Sequence, residues 1–244
     1  MTHPLVRKLE LFAPLSDEER RVLEKAPWRI REYGADEDII SEGDRASEST
    51  LMLEGFTCRY KLLPDGRRQI ASFHIPGDFV DLHSFLLKQM DHGVATLTPC
   101  RVGALAHEAV KEITEHHPRL GRAFWWDTVV DGSIFRQWMI GIGRRTALGR
   151  IAHLLCELHA RLQAVGLCDN DTYAFPVTQT ELGDALGLST VHVNRVLQEL
   201  RGKGLISLRG GTLAIHDTAA LRNIASFDPA YLYLHGESRD ESTR

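Results

Sequence analysis

Between residues 178 and 216 the sequence is punctuated so tightly that few arrangements can accommodate it. Thr178 stands three residues before Glu181, the spacing of a capping box, and opens a helix over Gln179 to Leu186 that Gly187 closes. Ser189 caps a second helix running from Thr190 to about Gly202. Only Gly187-Leu188-Ser189 separates the two, so the helices must turn sharply against each other. After Gly204 the runs Leu205 to Leu208 and Thr212 to Ile215 flank Arg209-Gly210-Gly211, which reads as a tight hairpin.

Helix, short glycine-containing turn, helix and hairpin is the order of a winged helix-turn-helix, in which the first helix braces the second against the major groove of DNA. Leu182, Ala185, Leu186, Leu188, Val193, Val196, Leu197 and Leu200 supply the packing positions. The outer face of the second helix then carries Thr190, His192, Asn194, Arg195, Gln198 and Arg201, nearly all hydrogen-bond donors or long cations, with Val191 beside them. Arg195 is the expected base reader, because a guanidinium can donate two bonds to guanine O6 and N7. Thr178, Gln179 and Arg209 are expected near the phosphates, where they would position the protein without reading sequence, and Ser189 is counted with them among the expected DNA-binding residues. The competing reading is a structural helical hairpin whose polar face is merely solvated.

Charge distribution favours DNA. The net charge of -4 argues at first against a nucleic-acid partner. Yet residues 189–216 hold Arg195, Arg201, Lys203 and Arg209 against Glu199 alone, a net of +3, while residues 1–188 net -5. A basic island therefore sits on an acidic body, and it falls on the second helix and hairpin.

The remaining organisation is a β-domain followed by long helices. A chain of 244 residues with 43% hydrophobic content builds one large or two ordinary domains. Ser16 and Glu19 form a second capping box ahead of a helix that Pro27 ends. From Trp28 to Leu105 turn signals such as Glu42-Gly43-Asp44, Pro64-Asp65-Gly66 and Pro76-Gly77-Asp78 separate short apolar runs, which describes a small antiparallel roll or barrel. Between Pro118 and Gly166 there is no proline, and apolar residues recur at helical spacing. This stripe is wider than one β-domain needs, and Trp126, Val130, Ile134, Trp138 and Ile142 are the expected contacts to a second copy of the chain. Gly141, Gly143 and Gly149 mark the expected hinge, with the domain boundary near Gly141 to Arg145, before a further helix from Thr146 to Gln163.

No apolar run reaches the ~18 residues of a membrane span, and the first residues lack a secretory apolar core, so a cytoplasmic protein without a membrane partner is expected. Cys58, Cys100, Cys156 and Cys168 are scattered without a CxxC pair, the pattern of structural thiols.

Two regions carry a family resemblance. Thr178-Gln-Thr-Glu-Leu-Gly-Asp-Ala-Leu-Gly-Leu-Ser189, continuing to Arg201 and Gly204-Leu-Ile206, and the glycine pattern Glu42-Gly43-Asp44, Leu51-Met-Leu-Glu-Gly55, Asp65-Gly66 and Pro76-Gly77-Asp78-Phe79 together resemble the cyclic-AMP receptor protein/FNR family of bacterial transcription regulators. The resemblance implies an α+β chain with a cyclic-nucleotide-binding-like β-roll over residues 1–117, a dimerisation helix and hinge over 118–143, a winged helix-turn-helix over 144–216 and an extension over 217–244. It also implies a homodimer on a palindromic operator, with RNA polymerase as a further partner.

The sequence departs from the family's ligand branches. Cyclic-nucleotide binders in the family carry Gly-Glu and then Arg-Ser or Arg-Thr in the roll, whereas no arginine lies between Lys88 and Arg101 here, and Asp81 and Asp91 add negative charge where a phosphate needs a cation. The oxygen-sensing branch uses an N-terminal cysteine cluster, and the first cysteine here is Cys58. Cyclic AMP and an iron-sulfur cluster are accordingly not expected, and the effector is left open. Phe73, His74, Leu82 and His83 are the expected effector-pocket residues. Haem stays a minor option through His74 or His83, and no metal site of standard spacing is legible. Val191 stands where the family usually has Glu, so the site sequence should differ from that of the best-known members. Asp81/His83/Ser84 and Cys156/His159 have triad residue types but no nucleophile elbow or phosphate loop around them, so no enzyme is expected. The alternative function is a haem- or small-molecule-binding module that no longer binds DNA.

Overall fold

A computed structural model describes residues 3–234. The chain separates into two compact units, the first holding residues up to Lys61 together with Phe73–Gly132, the second holding Leu62–Ser72 and Ser133–Leu232. The first unit opens on α1 (Pro4–Leu9) and α2 (Asp17–Lys25). The Ser16 capping box forms in full: the Glu19 amide donates to the Ser16 hydroxyl at 3.2 Å, and the Ser16 amide donates to the Glu19 carboxylate at 2.7 Å.

Seven strands follow: β1 (Arg29–Tyr33), β2 (Asp38–Ile40), β3 (Glu48–Glu54), β4 (Thr57–Leu62), β5 (Arg68–His74), β6 (Gly93–Thr96) and β7 (Cys100–Ala106). They make two sheets, in the orders β1-β7-β3 and β2-β6-β4-β5, with the ladders antiparallel. A short helix α3 (Ser84–Leu87) interrupts the path from β5 to β6 and is closed by Lys88 in the left-handed region. Leu5, Leu9, Leu51, Phe79, Leu105 and Leu120 form one core, while Met52, Val80, Val94 and Val102 form a second between the strands. Helix α4 (His107–His116) and the part of α5 (Pro118–Arg144) up to Gly132 complete the unit's helical cover.

The long helix ends at Arg144, at the close of the Gly141 to Arg145 stretch where the boundary is expected. Gly141 and Gly143 lie inside α5, and the interruption falls at Arg145-Thr146, where Thr146 caps α6 (Ala147–Ala164) by accepting from the Gly149 amide at 3.1 Å. The division between the two units falls earlier still, within α5 at Gly132/Ser133.

The second unit contains α6, a four-stranded sheet in the order β10-β11-β9-β8 (β8 Cys168–Asp169, β9 Thr172–Ala174, β10 Ile206–Arg209, β11 Thr212–Ile215), and the helices α7 (Gln179–Leu186), α8 (Thr190–Gly202) and α9 (Thr218–Ala225). A buried carboxylate ties its parts together: Glu157 on α6 accepts from Trp138 Nε1 at 3.2 Å and from the Tyr231 hydroxyl at 2.8 Å. The expected extension after residue 216 is in part an ordinary member of this unit, because α9 packs on α6 and buries Leu221 and Ala225. Residues 235–244 of that extension lie outside the described residues.

Candidate nucleic-acid interface and sensor site

The helix pair at 178–202 is built by local chemistry. The Thr178 hydroxyl accepts from the Glu181 amide at 3.2 Å and the Thr178 amide donates to the Glu181 carboxylate at 2.6 Å, so α7 has two of its orphan donors satisfied. Gly187 ends α7 at φ +65°, a left-handed conformation that glycine adopts without strain. Ser189 then caps α8 by accepting from the His192 amide at 3.3 Å. Arg150 of α6 donates to the Leu186 carbonyl at 2.9 Å, bracing the C-terminal end of α7.

Val193, Val196, Leu197 and Leu200 are buried on the inner face of α8. At about 1.5–3 kcal/mol for each fully buried aliphatic side chain, as an upper bound, that anchor is strong enough to hold the helix rigidly. The outer face presents Thr190, Val191, His192, Asn194, Arg195 and Gln198 to solvent, with Val191 69% exposed. Arg195 has no salt bridge among the described residues, whereas Lys203 is paired to Glu199 at 2.6 Å. The Asn194 side-chain amide donates to Gln179 Oε1 at 3.2 Å, joining the two helices across the turn. Arg209 is exposed at the end of β10, at the tip of the β10–β11 hairpin.

Two expected contacts sit differently. Arg201 is half-buried with its Nε enclosed, because it lies at the edge of the packed face near the C-terminal end of α8. The Thr178 hydroxyl is engaged with Glu181 at 2.8 Å as well as in the cap.

The long helix requires a correction. Val130, Ile134 and Trp138 are each 7% exposed and Trp126 is half-buried, so the expected dimer face is occupied by packing within the chain, with Ile142 alone of the five exposed. The uncovered apolar residues of α5 are instead Trp125, Val129, Phe135, Met139, Ile140 and Ile142, led by Trp125 at 71% exposure. Phe135, Met139 and Ile142 recur at spacings of four and three, the repeat that a coiled-coil seam uses, and Trp125 stands ten residues before Phe135.

The four residues expected at the effector pocket do not share one groove. Leu82 and His83 line a groove of about 430 Å³, shared with Phe85, Val110, Phe124 and Trp125. Phe73 and His74 do not line it. They close the covered end of β5, where residues on both sides of the strand are buried, and His74 lies 3.9 Å from Asp78. His74 therefore has no open face for a haem.

Charged groups are unusually frequent inside the first unit. Arg59 of β4 donates to Asp131 of α5 at 2.7 Å and to the Val80 carbonyl at 2.9 Å. Lys8 lies between Asp78 and Asp127 and remains protonated: burial works against its charge, and the two carboxylates outweigh burial. Burial lifts the Asp81 carboxyl to about 7 although it accepts from the Thr50 amide. Burial, reinforced by Arg59, pushes the His92 imidazole down to about 4. Sequence reasoning assigned no role to Arg59, Gly183 or His92. An arginine amid strand residues was the available signal for the first; Gly183 lies within the family-like run from Thr178 to Ser189, which does not disclose its contact, and His92 stands in a His-Gly turn pattern that does not disclose its partner.

The fold and these faces define a DNA-binding protein in which a β-roll of the cyclic-nucleotide-binding kind is followed by a Crp-like helix-turn-helix. A family model described as "Cyclic nucleotide-binding domain" matches residues 30–117, and one described as "Crp-like helix-turn-helix domain" matches residues 149–224. The chain is 29% identical over 226 residues to the nitrogen fixation regulation protein FixK of Bradyrhizobium diazoefficiens, covering 91% of this chain and 92% of that protein. It is 27% identical over 208 residues to the transcriptional activator protein FnrL of Cereibacter sphaeroides, covering 84% and 83%. Among solved structures, FixK2 from Bradyrhizobium japonicum superimposes with a TM-score of 0.75 at 26% identity, covering 82% of this chain and 98% of that one. The chain belongs to the Crp/Fnr family of transcription regulators. Among the described residues no helix is long and apolar enough to cross a membrane.

Proposed function

We propose that this DNA-binding regulator acts in the cytoplasm as a homodimer on a palindromic operator, contacts RNA polymerase, and takes its signal at the β-roll. The domain limits we assign are 1–117 for the roll, 118–143 for the dimer helix, 144–216 for the winged helix and 217–244 for the extension. Arg195 is the base reader, with Val191, His192 and Asn194 beside it and Thr178, Gln179, Ser189, Thr190, Arg201 and Arg209 toward the phosphates. The observation that carries this reading is the outer face of α8, a row of exposed donors and one unpaired cation on a helix pinned by four buried aliphatic residues.

The uncovered apolar row on α5 supports the dimer, since a chain that stayed single would leave Trp125 and Phe135 in water. We place the signal at the groove beside Leu82 and His83, and we read it as something other than cyclic AMP. Asp81 and Asp91 are unsuited to a phosphate, and the guanidinium of Arg59 is already engaged with Asp131 and Val80. We also read the chain as a binding protein and not an enzyme: the Ser84 hydroxyl lies 3.1 Å from His107 Nε2, and both residues are buried.

The test is a gel shift of genomic fragments across a range of salt, with sedimentation of the complex. Retained fragments sharing a palindrome and carrying two chains support the reading. Failure to form a specific complex at any salt, with or without cell extract, overturns it.

A further inference from the structure

His83 and His92 are nine residues apart in sequence, on opposite sides of α3, yet their rings approach to a centroid separation of 5.1 Å. In both residues Nε2 is buried and has no hydrogen-bond partner. Two enclosed imidazole nitrogens without partners are costly, because each gives up water and receives nothing. The neighbouring Asp91 accounts for the other ring nitrogen of His92, with its Oδ1 2.6 Å from His92 Nδ1. That bond fixes the tautomer and turns the lone pair of Nε2 inward, the arrangement in which a carboxylate orients a histidine ligand. Ligand atoms of His83, Asp91 and His92 all lie within 4.8 Å of one another.

We propose that His83 and His92 bind one divalent transition-metal ion through their ring nitrogens, with Asp91 as the carboxylate that orients His92 and offsets the ion's charge. Nitrogen ligands select zinc, cobalt, nickel or iron(II) over magnesium or calcium, which prefer oxygen. Asp91 is exposed, so the pair is reached from the surface while the imidazoles remain enclosed. The opposing cation is Arg59, whose charge is met by Asp131 at 2.7 Å. Lys61 contacts the Asp91 carbonyl and is paired with Glu42 at 2.8 Å. The site gives the β-roll signal proposed above a chemical identity. In that respect it rests on the sensor reading, but metal binding is measured without DNA and stands or fails by itself.

The experiment adds Co²⁺ to the full-length chain after chelator treatment and follows the visible absorption of the ion. Saturation at one ion per chain is expected, and Asp91→Asn should weaken binding by about 10–100-fold. His83→Gln and His92→Gln should each remove the one-equivalent signal, while a variant changed at His116 and His117, the adjacent surface pair, should keep it. Absence of binding overturns the proposal, as does binding unchanged in His92→Gln. Should either histidine variant misfold, X-ray absorption of the wild-type zinc complex decides: two imidazoles per ion support the site, and an all-oxygen shell contradicts it.

Discussion

A Cβ placed on Gly183 would stand 2.5 Å from the carbonyl oxygen of Leu188. The first helix of the pair therefore passes the turn at a distance that only glycine tolerates, and the Leu188 amide donates to the Gly183 carbonyl at 3.1 Å within the same contact. Because the listener on the other side of that turn is α8, Gly183 sets the angle at which Arg195 is presented. Gly183→Ala should force the turn outward, destabilise the winged helix by about 1–3 kcal/mol and weaken specific DNA binding. Urea unfolding and a DNA titration check both effects together.

Caps and turns were the most legible features of this chain, and the reason is physical. The boxes at Ser16 and Thr178 and the Gly187 stop are decided by residues three or four apart, so sequence alone carries them. The facing of α5 is decided by what the rest of the chain places against it. Its apolar residues cover two faces, and periodicity cannot tell Trp125 and Phe135 from Trp126 and Trp138. The His83–His92 pair depends on how α3 and the Lys88 turn fold the chain back, which no local pattern encodes. Phe73 and His74 fall outside the groove at Leu82 and His83 for a related reason: alternation along a strand does not disclose an end that is covered on both sides.

The correction on α5 separates two kinds of variant. Phe135→Glu with Met139→Glu alters exposed positions, so the chain should stay folded while sedimentation velocity reports monomers. Trp138→Glu would place a charge in the core and remove the donor to Glu157, and it should unfold the protein instead. A dimer that survives the Phe135/Met139 change would count against the assigned seam.

Acid should weaken the second unit through His153. Burial holds this imidazole at about 4 instead of 6.5, with Arg145 adding to the effect, and its ring packs against those of Phe227 and Tyr231. The unfolded chain therefore takes up the proton more readily than the folded one. Stability from this group is complete above about 6.5 and is lost as the pH falls toward 4. The loss should amount to about 3 kcal/mol across that window. His153→Leu should flatten the acid limb in urea midpoints measured against pH, whereas an unchanged limb would assign it to other groups.

The central claim, that α8 reads DNA through Arg195, is tested most directly by measuring discrimination. Wild-type and Arg195→Ala proteins are titrated against a duplex selected by the wild type and against the same duplex changed at one symmetric pair of guanines. The wild type should prefer the selected duplex, and Arg195→Ala should lose about 1–3 kcal/mol of that preference per contact while keeping the salt-dependent binding set by the phosphates. Discrimination left intact in Arg195→Ala would contradict the account.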